Sequence, residues 1–191
     1  MKTIITLSAL TGLLLVSGCM MPDRDKQVAA NEAKLAEEGY LQLEPGSAAP
    51  AVEVSSIDGT TIVGPGEPPA GPVLLFFITA PDTPNCAREV HQLERAAAEL
   101  SAAGVQTAIV VPAGLEQTAA YHAEHGPSLL AVADPELAVS IPYGCAVEGV
   151  DYLQRTQVGI AADGTVAFFE RGFPLSTVKQ VLEAFGIAPA E

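Results

Sequence analysis

Few residues in this chain can do covalent chemistry: three cysteines, Cys19, Cys86 and Cys145, and three histidines, His91, His122 and His125. Cys86 is set apart by its neighbours. An apolar run over 73–78 reads as a strand buried on both faces. A loop with Pro81 and Pro84 follows, which neither a strand nor a helix interior accepts. From Cys86 the pattern turns helical, with Val90, Leu93, Ala97 and Leu100 on one side and Arg88, Gln92, Glu94, Arg95 and Glu99 on the other. Gly104 is a natural stop. The cysteine thus sits where a buried strand hands over to a helix N-terminus. Unpartnered N–H groups and the helix dipole favour an anion there, and for cysteine the anion is the thiolate, the nucleophilic form. On its own, a lone cysteine before a helix is as readily a small buried hydrophobe. Arg88 is an adjacent cation, although a helix surface accounts for it equally. His122 and His125 fall three apart on a helix without an evident third ligand, so no metal and no cofactor are expected.

The elements around this junction alternate. Residues 51–57 and 60–63, joined by Asp58-Gly59, read as a hairpin, and 64–72 as a glycine and proline loop. After the helix from Cys86, 105–111 is a second buried strand, 115–125 a helix capped by Gly126, and 128–132 a third strand. Asp134-Pro135 is expected to start a short helix, and 143–152 has no clear period. Residues 155–160 and 165–170 form a hairpin about Asp163-Gly164. Val178, Val181, Leu182 and Phe185 then mark a last helix stopped by Gly186. Alternation implies parallel crossovers and the late hairpin adds an antiparallel pair, so the fold class is α/β with a mixed sheet.

A chain of 191 residues is long enough for one domain with a sizeable core. Its net charge of −14 argues against nucleic acid or an anionic membrane surface as partner. The first residues read as an address. Lys2 is followed by an apolar stretch, 4–16, too short to span a bilayer, which ends in Val16-Ser17-Gly18-Cys19. This resembles the lipobox of bacterial lipoproteins. The resemblance implies a signal peptide over 1–18, lipid on Cys19, and a location in the cell envelope. Met20 after the cysteine, rather than Asp, implies the outer membrane facing the periplasm. Residues 19–45, polar with scattered alanines, are expected to be a tether with at most one exposed helix, and 46–191 the folded domain. In such a compartment Cys86 and Cys145 are free to form a disulfide.

The order of elements, with a cysteine at the first strand-to-helix junction, resembles the thioredoxin fold. Within it the chain resembles the peroxiredoxins, the alkyl hydroperoxide reductase and thiol-specific antioxidant family. Gly46, Ala49-Pro50 and Asp58-Gly59 match the entry of such domains. Phe76-Phe77, Thr83, Cys86 and Glu89 match the active-site segment, whose core is Thr-x-x-Cys. Asp134-Pro135 and Tyr143-Gly144 match a later segment, and Arg155, Ile160 and Asp163-Gly164 the strand that carries the family's arginine. Two positions depart from the pattern. Thr79 stands where the family has a proline, seven residues before the cysteine, and Thr83 stands where a thioredoxin would have the first cysteine of Cys-x-x-Cys.

The resemblance implies a thioredoxin-like fold, a central mixed β-sheet flanked by helices. It also implies an envelope-anchored thiol peroxidase acting on hydrogen peroxide or organic hydroperoxides. Cys86 would attack the peroxide and become a sulfenic acid. Arg155 would stabilise the thiolate, Thr83 would turn its hydroxyl to the sulfur or the peroxide, and Glu89 would orient the arginine. Cys145 is a candidate resolving thiol, or simply a packed one; an external thiol reductant is the other route. Two other functions stay open: thiol–disulfide exchange with a partner protein, and a binding lipoprotein that has lost reactivity.

Overall fold

A computed structural model describes residues 24–149, 153–172 and 175–188. The expected signal peptide, residues 1–18, and Cys19 lie outside the described residues. Helix α1 (Arg24–Glu37) precedes a hairpin of β1 (Val54–Ser55) and β2 (Thr61–Val63). The main run is β3 (Val73–Phe77), α2 (Pro84–Ala102), β4 (Gln106–Val111), α3 (Leu115–His125), β5 (Leu130–Ala133), β6 (Thr156–Ile160), β7 (Val166–Arg171) and α4 (Val178–Ala184). The sheet order is β5-β4-β3-β6-β7. β3, β4 and β5 are mutually parallel neighbours, while β6 is antiparallel to both β3 and β7. This is the expected mixed sheet of a thioredoxin-like fold.

β3 is buried along its whole length because it is the middle strand. Its side chains alternate between two cores, as strand geometry requires. Leu74, Phe76 and Ile78 join Cys86, Val90, Leu93, Ile109 and Tyr121 on one face. Val73, Leu75 and Phe77 join Val110, Tyr143, Cys145 and Val158 on the other.

The short helix expected from Asp134-Pro135 is a series of turns. The Asp134 carboxylate accepts from Val139 N at 3.0 Å and from Ser140 N at 2.8 Å, so it competes with the backbone for those donors. Leu137 adopts φ 59°, which ends right-handed helix at once.

Residues 24–45 are not merely a linker. Leu35 and Tyr40 are buried, and Glu32 pairs with Arg171 at the end of β7. The Arg171 guanidinium also donates to the Leu41 carbonyl and, at 2.9 Å, to the Gly144 carbonyl. Gly144 has φ 70°, and a Cβ there would run into the Leu41 carbonyl.

Candidate active site

The site forms at the C-terminal end of β3. Ile78 N still donates to Val110 O at 3.2 Å, and the chain then leaves the sheet. Thr83 precedes α2 with extended backbone (φ −96°, ψ 128°) and Pro84 occupies the first turn, where a missing N–H costs nothing. Thr83 does not cap the helix through its side chain. Its hydroxyl donates instead to Ala80 O at 3.1 Å, holding the loop closed. Cys86 follows in the first turn, 1% exposed.

The sulfur has a hydroxyl partner, Thr79 Oγ1, at 3.2 Å. Burial pushes the Cys86 thiol up. The hydroxyls of Thr79 and Thr83 and the backbone at Ala80 and Thr79 outweigh it, so the thiol lies below its ordinary value. Hydrogen bonds to the charged form of an acid favour that form.

Arg155 arrives by register. Phe77 pairs with Thr156, so the residue before β6 is carried alongside the end of β3. There Arg155 Nη1 lies 3.0 Å from Glu89 Oε1, and its Nε donates to Gly172 O at 3.4 Å. Glu89 lies one turn beyond Cys86 on α2 and its side chain is wholly buried. Burial pushes the Glu89 carboxyl up, opposed first by the charge of Arg155, then by a hydrogen bond from it, and more weakly by the charge of Arg88.

Of the residues singled out in the sequence, Thr83 and Cys86 share one turn, and Glu89 and Arg155 meet one turn further on. Thr79, noted in the sequence only as a departure from the family's proline, is the sulfur's hydrogen-bond partner. The signal was a hydroxyl at that position, but only the loop's path brings it back to Cys86. Tyr121, in the middle of α3, also reaches this core, and periodicity could not single it out. Cys145 is fully buried on the opposite face of the sheet. Its thiol donates to Tyr143 O at 3.4 Å, and burial pushes that thiol well up. Both Cys86 and Cys145 are free. His125 Nδ1 lies 3.3 Å from His91 Nε2 and His122 Nε2 lies 2.8 Å from Leu129 O. Among the described residues no group of three or more His, Cys, Asp or Glu could hold a metal ion.

A model of the AhpC/TSA family matches residues 45–169. Comparison with curated proteins gives no match. Solved structures share the fold. Xanthomonas campestris peroxiredoxin Q is 19% identical with a TM-score of 0.58, covering 75% of this chain and 91% of that one. Peroxidoxin BcpB from Mycobacterium tuberculosis is 19% identical with a TM-score of 0.60, covering 76% and 96%. Reduced Prx3 from Vibrio vulnificus, in complex with hydrogen peroxide, is 19% identical with a TM-score of 0.62, covering 75% and 99%.

Proposed function

The chain belongs to the AhpC/TSA family, and on that premise we propose that it is a cysteine-dependent peroxidase acting on hydrogen peroxide or organic hydroperoxides through Cys86. The observation that carries this is a buried sulfur in the first turn of a helix, hydrogen-bonded to Thr79, with its proton held less tightly than in an ordinary thiol. The Cys86 thiolate attacks one peroxide oxygen. An S–O bond forms as the O–O bond breaks, and the sulfur supplies two electrons. The departing oxygen takes up a proton and leaves as water or an alcohol. The sulfenic acid that remains is reduced by an external thiol, which attacks its sulfur, expels water and leaves a mixed disulfide for a second thiol to open. Arg155, paired with Glu89, places a fixed positive charge beside the turn that holds the sulfur. The family name and the peroxide-bound Vibrio vulnificus relative favour a peroxide as substrate. A reductant outside the chain is favoured over Cys145 because the sheet lies between the two sulfurs.

The proposal includes the address: lipid on Cys19, with the domain facing the cell envelope. Its support is the apolar stretch 4–16 and the run Val16-Ser17-Gly18-Cys19.

One experiment has two arms. The chain is mixed with hydrogen peroxide or an alkyl hydroperoxide, and sulfenic acid is trapped with a dimedone-type reagent. Trapping at Cys86 should run about a hundredfold faster than for free cysteine and vanish in Cys86→Ser. Reaction no faster than that of free cysteine sinks the peroxidase reading. Cell fractionation of wild type and Cys19→Ser tests the address: the variant should leave the membrane fraction, and its retention there would count against lipid anchoring.

A further inference from the structure

Tyr121 belongs to the core that holds Cys86 and Val90, and is 5% exposed. Its ring is closed on one side by His125, with ring centres 4.6 Å apart. A phenylalanine would fill this space equally well. What tyrosine adds is a hydroxyl that is shut away from solvent and has no hydrogen-bond partner. Such a group is costly in a folded protein unless something in the working cycle uses it. Tyr121 shares its core with Cys86, Val90 and Leu93 of α2. Burial, the charge of Cys86 and the charge of Glu89, in that order, push the phenol above its ordinary value. It therefore keeps its proton at neutral pH, and with it the ability to donate.

We propose that the Tyr121 hydroxyl is a reserved donor to the Cys86 sulfur, engaged when that sulfur carries negative charge and idle when it is a neutral thiol. The neutral thiol shares one hydrogen bond with Thr79, in which either atom can donate. On ionisation the sulfur loses its proton and becomes an acceptor only, so it can take donors from both sides. Thr79 supplies one from the loop, and Tyr121 supplies the other from α3. No bond to the phenol forms or breaks, and its proton stays where it is. A developing sulfenate oxygen would meet the same donor, and in that respect the inference deepens the peroxidase reading and rests on it. The charge-dependent contact itself does not.

The test is the pH profile of Cys86 alkylation by iodoacetamide, read on the Cys86 peptide by mass spectrometry, with the full chain as wild type, Tyr121→Phe and Tyr143→Phe. Tyr143 is the matched control. Its hydroxyl is also buried and unpartnered, but it packs on the far face of the sheet. Tyr121→Phe should slow alkylation about tenfold on the acid side of the profile and displace the profile upward. Tyr143→Phe should superimpose on wild type. The inference is overturned if Tyr121→Phe also superimposes on wild type, or if both variants shift alike. Coincident profiles with a raised unfolding midpoint would mark the hydroxyl as a plain buried cost. Alkylation involves no peroxide, so this outcome is independent of whether Cys86 proves to be a peroxidase.

Discussion

Thr79 does most to lower the Cys86 thiol. The family's proline at this position has neither a hydroxyl nor an N–H to offer. Here the hydroxyl lies 3.2 Å from the sulfur, and the backbone at Thr79 also favours the thiolate. Tuning by neutral donors differs from tuning by a cation, because dipoles this close are little affected by salt. Thr79→Val keeps the shape and removes the donor, so the Cys86 thiol should move up and alkylation near neutral pH should fall about tenfold. The stability effect follows in sign. The thiol of folded wild type lies below its ordinary value of 9.0. Its contribution to stability is therefore complete above that value and is lost as pH falls through the lowered one. Denaturation of wild type and Thr79→Val should diverge at alkaline pH and converge at acid pH. Divergence at acid pH instead would mean that Thr79 acts through packing.

Elements bring Glu89 and Arg155 together, one from α2 and one from the residue just before β6. The carboxylate is wholly buried, and the arginine is 17% exposed. A buried charge that loses its partner is expensive, on the order of 3 kcal/mol. Arg155→Ala should therefore destabilise the fold by about that amount at neutral pH. The penalty should depend on pH in a definite direction. Burial already raises the Glu89 carboxyl above 4.5, and without Arg155 it would rise further. Below 4.5 the carboxyl is neutral in both folded and unfolded chains, so the penalty should be small. It should grow as pH rises through the raised folded value. Adding Glu89→Gln should recover most of the loss, since no buried charge is left unpaired. Urea unfolding across pH checks this, and a penalty that is flat with pH would rule it out. Much of this arrangement was legible beforehand. Glu89 one turn after Cys86 and Arg155 at the first position of an expected strand, 155–160, are local features, and their roles came from the family pattern. Their mutual contact was expected from the family resemblance alone; no local pattern shows it, because it depends on Phe77 pairing with Thr156, far apart in the chain.

At the scale of the molecule, the five-strand sheet separates two cores and places one free cysteine in each. Under native conditions Cys145 should resist alkylation while Cys86 reacts, and it should become reactive only on unfolding. Cys145→Ser should leave the oxidation of Cys86 by peroxide and its turnover with an external thiol unchanged. A requirement for Cys145 in turnover would show that the sheet opens during the cycle. The sequence by itself determined the order of strands and helices, a cysteine in the first turn of the helix that follows β3, and the turns at Asp58-Gly59 and Asp163-Gly164. These are properties of near neighbours: side-chain periodicity, proline and glycine backbone limits, and the unpartnered N–H groups of a helix start. Even there it mistook the segment after Asp134 for a helix, because the carboxylate's competition for backbone donors was invisible. The tertiary structure alone decided which hydroxyl faces the sulfur, that Tyr121 shares a core with Cys86, that Cys145 lies across the sheet, and that α1 is fastened to the domain through Glu32 and Arg171. Each of these depends on strand order and register, which residues distant in sequence fix jointly, and no local pattern encodes which distant residue will arrive.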